Sequence, residues 1–307
     1  MPDPKPRNEE WISQIDRLGN TVESQLSFAH TQYRAGEFDK ALVEVESILK
    51  KHPKHPDAHL LRARIFYERG ELGPSRDAVA KALECDPRHG KSYVLLATLC
   101  FEEGDIPSAV RVCTKAIEVD PSNVDAQLQL GDYSGAQADY TMAERAYSAA
   151  LKLKPQNPVA HRQLGKVYAL LGNAAKAMEQ LEEALRLDPV NANAHLALGD
   201  LYRTKGKNDE AIKAYRESAR LNPRADVACV RAAEMYLAAK RHADALLELK
   251  RALKIRSPNA QAEELLGRIH LDLGQRDEAV AHFNAALKAE PDMKAAMEGL
   301  RLSKDAT

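Results

Sequence analysis

The chain has 307 residues, of which 44% are hydrophobic, 29% are charged and only 5% are aromatic. Gly and Pro number 15 each, too few for a collagen-like or low-complexity chain. The 44 Lys and Arg residues against 45 Asp and Glu residues exclude a protein that coats nucleic acid or an anionic membrane by bulk electrostatic attraction.

The N-terminal segment, residues 1–21, is predicted to form a tail and a short leading helix. Within it, Trp11, Ile15 and Leu18 have the i, i+4, i+7 spacing of an apolar helix face. Trp11 either covers the structure that follows or contacts a partner, and both interpretations stay open.

The sequence contains no signal for secretion or membrane insertion. The first residues lack the apolar stretch of a signal peptide, and no window approaches eighteen apolar residues. The four cysteines include no CxxC pair, which disfavours a zinc ribbon or a thioredoxin-type site. We therefore expect a cytoplasmic protein with reduced thiols.

Prolines recur along the chain with a fixed period of 34 residues. They are Pro53, Pro87, Pro121, Pro155, Pro189 and Pro223, with Pro291 two periods further on. Such a period indicates a repeat protein in which each repeat packs against its neighbours. It predicts eight consecutive windows, at residues 22–55, 56–89, 90–123, 124–157, 158–191, 192–225, 226–259 and 260–293.

The same residue types recur at the same positions of these windows. Position 8 is always Ala or Gly, position 20 is Ala or Ser, and position 27 is Ala or Ser in seven windows. Position 24 is larger, as in Val45, Tyr147 and Phe283. Each window also holds two apolar-periodic stretches, which predict two amphipathic helices that approach closely at the small residues.

Glycine separates the two predicted helices at position 15 in six windows, because it readily adopts the positive φ that ends a helix. The fourth window has Ala138 there and the seventh has Lys240. The fourth also has Gly135 late in its first helix, where glycine costs about 1 kcal/mol relative to alanine. We expect the fourth repeat to be the weakest, with simple tolerance of sequence drift as the alternative.

This pattern resembles the tetratricopeptide repeat (TPR), whose signature is W-x2-L-G-x2-Y…A-x3-F…P. The window at residues 192–225 carries His195, Leu198, Gly199 and Tyr202, followed by Ala211, Tyr215 and Pro223. The resemblance covers residues 22–293 and implies an all-α fold, a right-handed α-solenoid of antiparallel helix pairs. It also implies a polar-faced C-terminal cap, for which residues 294–307 are predicted, with Met297 and Leu300 facing the last repeat.

In TPR proteins the first helices line a concave groove, and the resemblance assigns positions 2, 5, 6, 9, 12 and 13 of each window to it. These positions are apolar and aromatic in the front windows and more charged in the rear ones. Packing into the core is the alternative for the aromatic residues, and a solvated mixed-charge face is the alternative for the arginines. The predicted partner-binding residues are Leu26, Tyr33, Leu61, Arg64, Tyr67, Leu95, Phe101, Leu128, Arg162, Lys166, Arg203, Arg231 and Arg268.

The resemblance predicts a non-catalytic adaptor that holds a helix or peptide of a protein partner, with self-assembly as the alternative. The clamp by which some TPR domains bind chaperone tails is absent. Its nearest candidates, Lys91 at position 2 and Arg231 at position 6, lie in different windows, whereas the clamp needs both in one window. Balanced charge disfavours the helical-repeat RNA readers, so no nucleic-acid partner is predicted.

Two clusters have residue types that carry chemistry. His52, His55 and His59 suit zinc, but prolines follow the first two, which favours an inter-repeat turn over a metal site. Cys100 and Cys113 are predicted to be buried free thiols, with a redox pair as the alternative. The sequence has no P-loop, GxSxG or HExxH motif, so we predict no enzyme activity, cofactor or metal.

Overall fold

The computed structural model describes residues 21–305, and within that range it contains seventeen α-helices and no β-strand. The all-α fold of tandem helices predicted from the sequence is confirmed. The chain divides into two compact units, unit 1 (Met1–Leu153) and unit 2 (Lys154–Thr307). The predicted leading helix with Trp11 lies outside the described residues.

Unit 1 contains α1 (Val22–Arg34), α2 (Phe38–Lys51), α3 (Pro56–Glu68), α4 (Leu72–Cys85), α5 (Gly90–Glu102), α6 (Ile106–Val119), α7 (Val124–Ala136) and α8 (Tyr140–Leu153). Unit 2 contains α9 (Pro158–Leu170), α10 (Ala174–Leu187), α11 (Ala192–Thr204), α12 (Asn208–Leu221), α13 (Asp226–Ala238), α14 (His242–Ile255), α15 (Ala260–Asp272), α16 (Arg276–Ala289) and α17 (Lys294–Asp305).

Each of the eight sequence windows forms one helix hairpin, and its first helix begins at the first residue of the window. The glycine at position 15 has a φ between 70° and 80° in six hairpins. Ala138 and Lys240 adopt the same left-handed conformation, with φ of 60° and 56°. A Cβ is strained there because it approaches the following carbonyl oxygen, so these two turns are the least favourable of the eight.

Asparagine side chains start several of the first helices. Asn123, Asn157, Asn191 and Asn259 each accept a hydrogen bond from a backbone N–H in the first turn of the helix that follows. These bonds satisfy donors that have no partner within the helix. The helix starts are therefore determined by short polar side chains as well as by the prolines before them.

The core of unit 1 lies between the two helices of each hairpin, where small and large residues alternate. Ala29 and Ala41 have no exposed surface, and neither does Val45 at position 24 between them. Ser75 takes the place of alanine in the second hairpin, and its hydroxyl donates to the Ala63 carbonyl oxygen at 2.8 Å. The small residues let the backbones approach, and the residue at position 24 fills the remaining space.

Unit 2 has the same core, with leucine or an aromatic residue at position 24. Leu181, Tyr215, Leu249 and Phe283 are all completely buried. The final helix, α17, packs on α16 with Ala296 fully buried, whereas Leu300 is partly buried against the same cluster. The prediction that Met297 faces the last repeat is wrong, because 44% of this residue is exposed.

Candidate functional site: the first-helix surface

We define the first-helix surface as the residues at positions 2, 5, 6, 9, 12 and 13 of the first helices, considered separately in each unit. In unit 1 it contains two adjoining cavities of about 480 and 390 Å³. Every residue that lines either cavity occupies one of these six positions. The first is lined by Glu23, Leu26, Ser27, His30, Tyr33, Arg34, Asp57, Leu60, Arg64 and Lys91, and the second by Tyr33, Arg64, Tyr67, Glu68, Val94, Leu95, Thr98, Asp125, Leu128 and Gln129.

Two tyrosines in this surface are hydrogen-bonded to the next repeat. The Tyr33 hydroxyl donates to Glu68 Oε1 at 3.1 Å, and the Tyr67 hydroxyl donates to Glu102 Oε1 at 3.4 Å. Burial raises the pKa of both tyrosines, and the carboxylate beside each raises it further. Both therefore remain protonated donors at neutral pH.

The aromatic row predicted from the sequence is not uniform. Phe101 stacks on Tyr133, with ring centroids 4.6 Å apart, and lines neither of the two cavities. Its partly buried ring packs against the core cluster of the third and fourth repeats. Phe101 thus follows the packing alternative, whereas Tyr33 and Tyr67 combine partial burial with a place in the cavities.

Two of the predicted leucines are mainly core residues. Leu61 has no exposed surface, because it packs against the first repeat beside Ala29 and Val45. Its assignment to a binding surface is wrong. Leu95 is 8% exposed and reaches a cavity only with its edge. In the second and third repeats, position 6 therefore contributes more to packing between repeats than the resemblance implied.

In unit 2 a cavity of about 540 Å³ is lined partly by the first-helix surface and partly by residues outside it, among them Gly172, Leu181 and Leu201. Lys166, Arg203 and Arg231, all predicted from the sequence, line it together with Asp200. Its remaining lining is largely apolar and comes from Ala169, Leu170, Gly172, Ala174, Leu181, Ala197 and Leu201, with Thr204 and Lys205 at the edge.

The charges around this cavity are only partly neutralised. Arg231 bonds to Glu234, with 3.1 Å between Nη1 and Oε2, and its Nε lies 3.9 Å from Asp200 Oδ1. Arg203 Nε is also 3.9 Å from that oxygen, and it is buried without a hydrogen-bond partner among the described residues. Asp200 already accepts a bond from the buried Tyr215 hydroxyl at 2.8 Å.

The other two predicted arginines lie outside this cavity. Arg162 donates to Gln163 Oε1 at 2.9 Å. Arg268 Nε lies 3.8 Å from Glu264 Oε1, and most of its side chain is exposed. Glu264 itself is buried, and burial raises the pKa of its carboxyl group. The structure thus brings together three of the five basic residues predicted in unit 2.

In each of two hairpins, a tyrosine on the second helix bonds to an aspartate on the first helix, and this pair was not predicted. The Tyr147 hydroxyl donates to Asp132 Oδ1 at 2.6 Å, and Tyr215 makes the same bond to Asp200. Burial and the Asp200 carboxylate both raise the pKa of Tyr215. The signal was present in the sequence, because only the fourth and sixth windows combine tyrosine at position 24 with aspartate at position 9.

The histidine cluster has a structural role. His59 Nε2 lies 2.8 Å from the Pro53 carbonyl oxygen, and His55 Nδ1 accepts from the backbone N–H of Ala58 at 3.4 Å. His161 and His195 repeat the contact with the preceding proline carbonyl. Within residues 21–305, no three His, Cys, Asp or Glu side chains are arranged to hold a metal ion.

The cysteines are free thiols, and three of the four are buried. The Cys113 thiol donates to Gln129 Oε1 at 3.7 Å, and burial raises its pKa to about 12. Such a group stays protonated at neutral pH, which disfavours redox chemistry through a thiolate. Among the described helices, none combines the length and the apolar composition that a bilayer crossing requires.

The tandem helix hairpins place this protein in the class of all-α helical-repeat proteins. The tetratricopeptide repeat matches residues 26–90, 94–158, 124–192, 164–226 and 196–260, and a second form of it matches residues 236–301. The chain therefore belongs to the tetratricopeptide repeat family, whose fold is typical of protein–protein interaction scaffolds.

Solved structures share this fold. The crystal structure of the APC/C hetero-tetramer Cut9–Hcn1 gives a TM-score of 0.67 at 20% identity, over 97% of this chain and 59% of that one. This chain therefore spans less than two thirds of the length of that relative. A tetratricopeptide repeat protein from Parabacteroides merdae gives 0.64 at 19% identity, over 81% and 98%. PilW, a type IV pilus biogenesis factor, gives 0.62 at 22%, over 69% and 98%. No curated protein gives a sequence match.

Proposed function

We propose that this protein is a non-catalytic, cytoplasmic scaffold that binds a segment of a protein partner on its first-helix surface. The observation that carries the proposal is the lining of the two unit 1 cavities, since every lining residue lies at one of the six positions. Side chains from successive repeats thus meet in one surface, as an interaction site requires.

The two units differ in the chemistry that they offer. Unit 1 presents Leu26, Tyr33, Tyr67 and Leu128 beside Arg64, which suits the apolar face of a helix or the side chains of an extended peptide. Unit 2 presents Lys166, Arg203 and Arg231 in a cavity whose other lining residues are mostly apolar, which suits carboxylates of the partner. A solved relative, the Cut9–Hcn1 assembly, is itself a subunit complex, which supports a scaffold role.

Site-specific photo-crosslinking tests the proposal. A photoreactive residue at Leu128, which lines the second unit 1 cavity, should capture a partner from cells of the source organism. The matched control is Val43, which is 68% exposed on the second helix α2 and lines neither cavity. Equal capture from both positions, or capture from Val43 alone, would refute the first-helix surface as the binding site.

Self-assembly is the second candidate. Apolar side chains are exposed near both ends of the described range: Phe28 on α1 is 55% exposed and Leu302 on α17 is 47% exposed. Contact between such ends of two copies would bury both patches. Light scattering over a range of protein concentrations tests it, and a strict monomer at the highest concentration would reject it.

A further inference from the structure

A third cavity in unit 1 lies away from the first-helix surface. Its volume of about 990 Å³ exceeds that of either first-helix cavity, and it shares no lining residue with them. The second helices α2 and α4 supply most of its walls, and the loop between α2 and α3 and the start of α3 supply the rest. Its lining residues are Glu46, Leu49, Lys50, Pro53, Lys54, His59, Arg62, Lys81, Glu84 and Cys85.

Arg62, in the lining of this cavity, breaks the repeat pattern. It stands at position 7, where the signature has leucine and where every other window has an apolar residue. These residues are Phe28, Leu96, Leu130, Leu164, Leu198, Ala232 and Leu266. Arg62 keeps much of the burial of that position, since only 15% of its side chain is exposed.

The contacts that Arg62 makes within the chain do not explain why a charged residue occupies this position. Its Nη1 lies 3.2 Å from Glu46 Oε1, but half of the Glu46 side chain is exposed, and such pairs contribute little to stability. Its Nε is buried and has no hydrogen-bond partner among the described residues. Leucine would fill the site without these costs, and departures of this kind are concentrated at functional sites.

His59 orients the guanidinium of Arg62. The contact of His59 Nε2 with the Pro53 carbonyl oxygen, at 2.8 Å, requires that this nitrogen carries the proton. The other ring nitrogen, Nδ1, is then an acceptor for Arg62 Nη2 at 3.4 Å. Burial lowers the pKa of His59, so the ring is neutral at neutral pH and adds no charge of its own.

The lining as a whole has an excess of positive charge. Four cations, Lys50, Lys54, Lys81 and Arg62, face two carboxylates, Glu46 and Glu84, which leaves an excess of two positive charges. None of the three lysines forms an ion pair with another described residue. A phosphate monoester carries a charge close to −2 at neutral pH, whereas a carboxylate carries −1, so the cavity complements the phosphate better.

We propose that this cavity binds a phosphate monoester, with the Nη1 and Nη2 groups of Arg62 as the two donors and the lysines as surrounding point charges. The phosphate is carried either by a small molecule or by a phosphorylated side chain of a protein. Because the cavity shares no residue with the first-helix surface, it is a second binding site with its own ligand.

Calorimetric titration of the full chain at low ionic strength tests the proposal. The probes are O-phosphoserine, a short peptide with one phosphoserine, and acetate as the carboxylate control. We expect both phosphate probes to bind and acetate not to bind, and tighter binding of the peptide would identify a phosphorylated protein as the source. The Arg62→Leu variant should bind at least about tenfold more weakly.

Arg62→Leu is suited to this test because leucine occupies position 7 in five other windows, so the variant should fold. Arg62→Lys keeps the charge but loses the two parallel N–H donors of the guanidinium, and should give an intermediate affinity. Lys213→Ala, which removes an exposed charge in unit 2, is the control and should bind as the wild type does. Unchanged affinity in Arg62→Leu, equal binding of acetate, or no binding of either phosphate probe at millimolar concentration would overturn the proposal.

Discussion

A Cβ atom on Gly131 would lie 2.5 Å from the ring of Tyr147, closer than real side chains approach one another. The two residues occupy positions 8 and 24 of the fourth repeat and face each other across its hairpin. Gly199 with Tyr215, and Gly267 with Phe283, have the same relationship. Where position 8 is alanine, as at Ala29, position 24 holds Val, Cys or Leu and never an aromatic residue, because the two positions share one volume.

The Gly131–Tyr147 contact predicts opposite effects for two alanine substitutions on one helix. Gly131→Ala should reduce the free energy of unfolding by about 1–3 kcal/mol, because the buried ring has to move. Gly135→Ala should increase it by about 1 kcal/mol, since nothing lies within 4 Å of a Cβ there and alanine favours the helix. Urea denaturation measures both, and two effects of the same sign would contradict the packing described.

The two turns without glycine predict simple stabilising substitutions. Ala138→Gly and Lys240→Gly should each stabilise the fold by about 1 kcal/mol, because glycine removes the strain of a left-handed residue. The converse control is Gly172→Ala, which has no steric contact and should destabilise the fold by a similar amount through φ alone. Thermal unfolding compares the three, and a loss of stability in Ala138→Gly would show that its turn is not strained.

The junction between the last two repeats contains a buried carboxylate that accepts hydrogen bonds from a buried asparagine and from an exposed arginine. Arg256 and Asn259 both donate to Asp226 Oδ2 at 2.7 Å, and Asp226 is 9% exposed. Asp226→Ala should destabilise unit 2 by about 1–3 kcal/mol, because it leaves the buried Asn259 amide without an acceptor, whereas the largely exposed Arg256 is hydrated instead. Asp244→Ala is the control, since its pair with Arg241 is exposed and should contribute less than about 1 kcal/mol. Equal effects of the two substitutions would contradict the network.

The buried Glu264 predicts a pH-dependent stability. Burial raises its pKa, Arg268 opposes this shift and Glu234 adds to it. An acid with a raised pKa in the folded state contributes most below its unfolded pKa, and that contribution is lost as pH rises through the folded pKa. Glu264→Gln should therefore raise Tm at pH 7 and change it little at pH 4. A gain that is independent of pH would show that the charge is not the cause.

The 34-residue period was enough to predict the helices, because prolines, turn glycines and small residues mark each boundary. The helix face that carries the two first-helix cavities of unit 1 was implied by the resemblance to the TPR and not by the period. That resemblance misassigned Leu61, and Phe101 follows the packing alternative, since residues at positions 6 and 12 pack or stay open depending on the neighbours of each repeat. The cavity around Arg62 was not predicted, because the TPR signature has leucine at position 7 and gives no reason to expect a binding residue there.

Because the residues at positions 8 and 24 have complementary sizes, the two helices of a hairpin have to be exchanged together in recombination. A recombination event that exchanges whole windows keeps every glycine with its own large partner. A crossover inside a window would separate Gly131 from Tyr147 and could join tyrosine to alanine, which the shared volume does not allow. Shuffling of this array, in evolution or in protein engineering, should therefore succeed at the proline junctions and fail at the turns between the two helices.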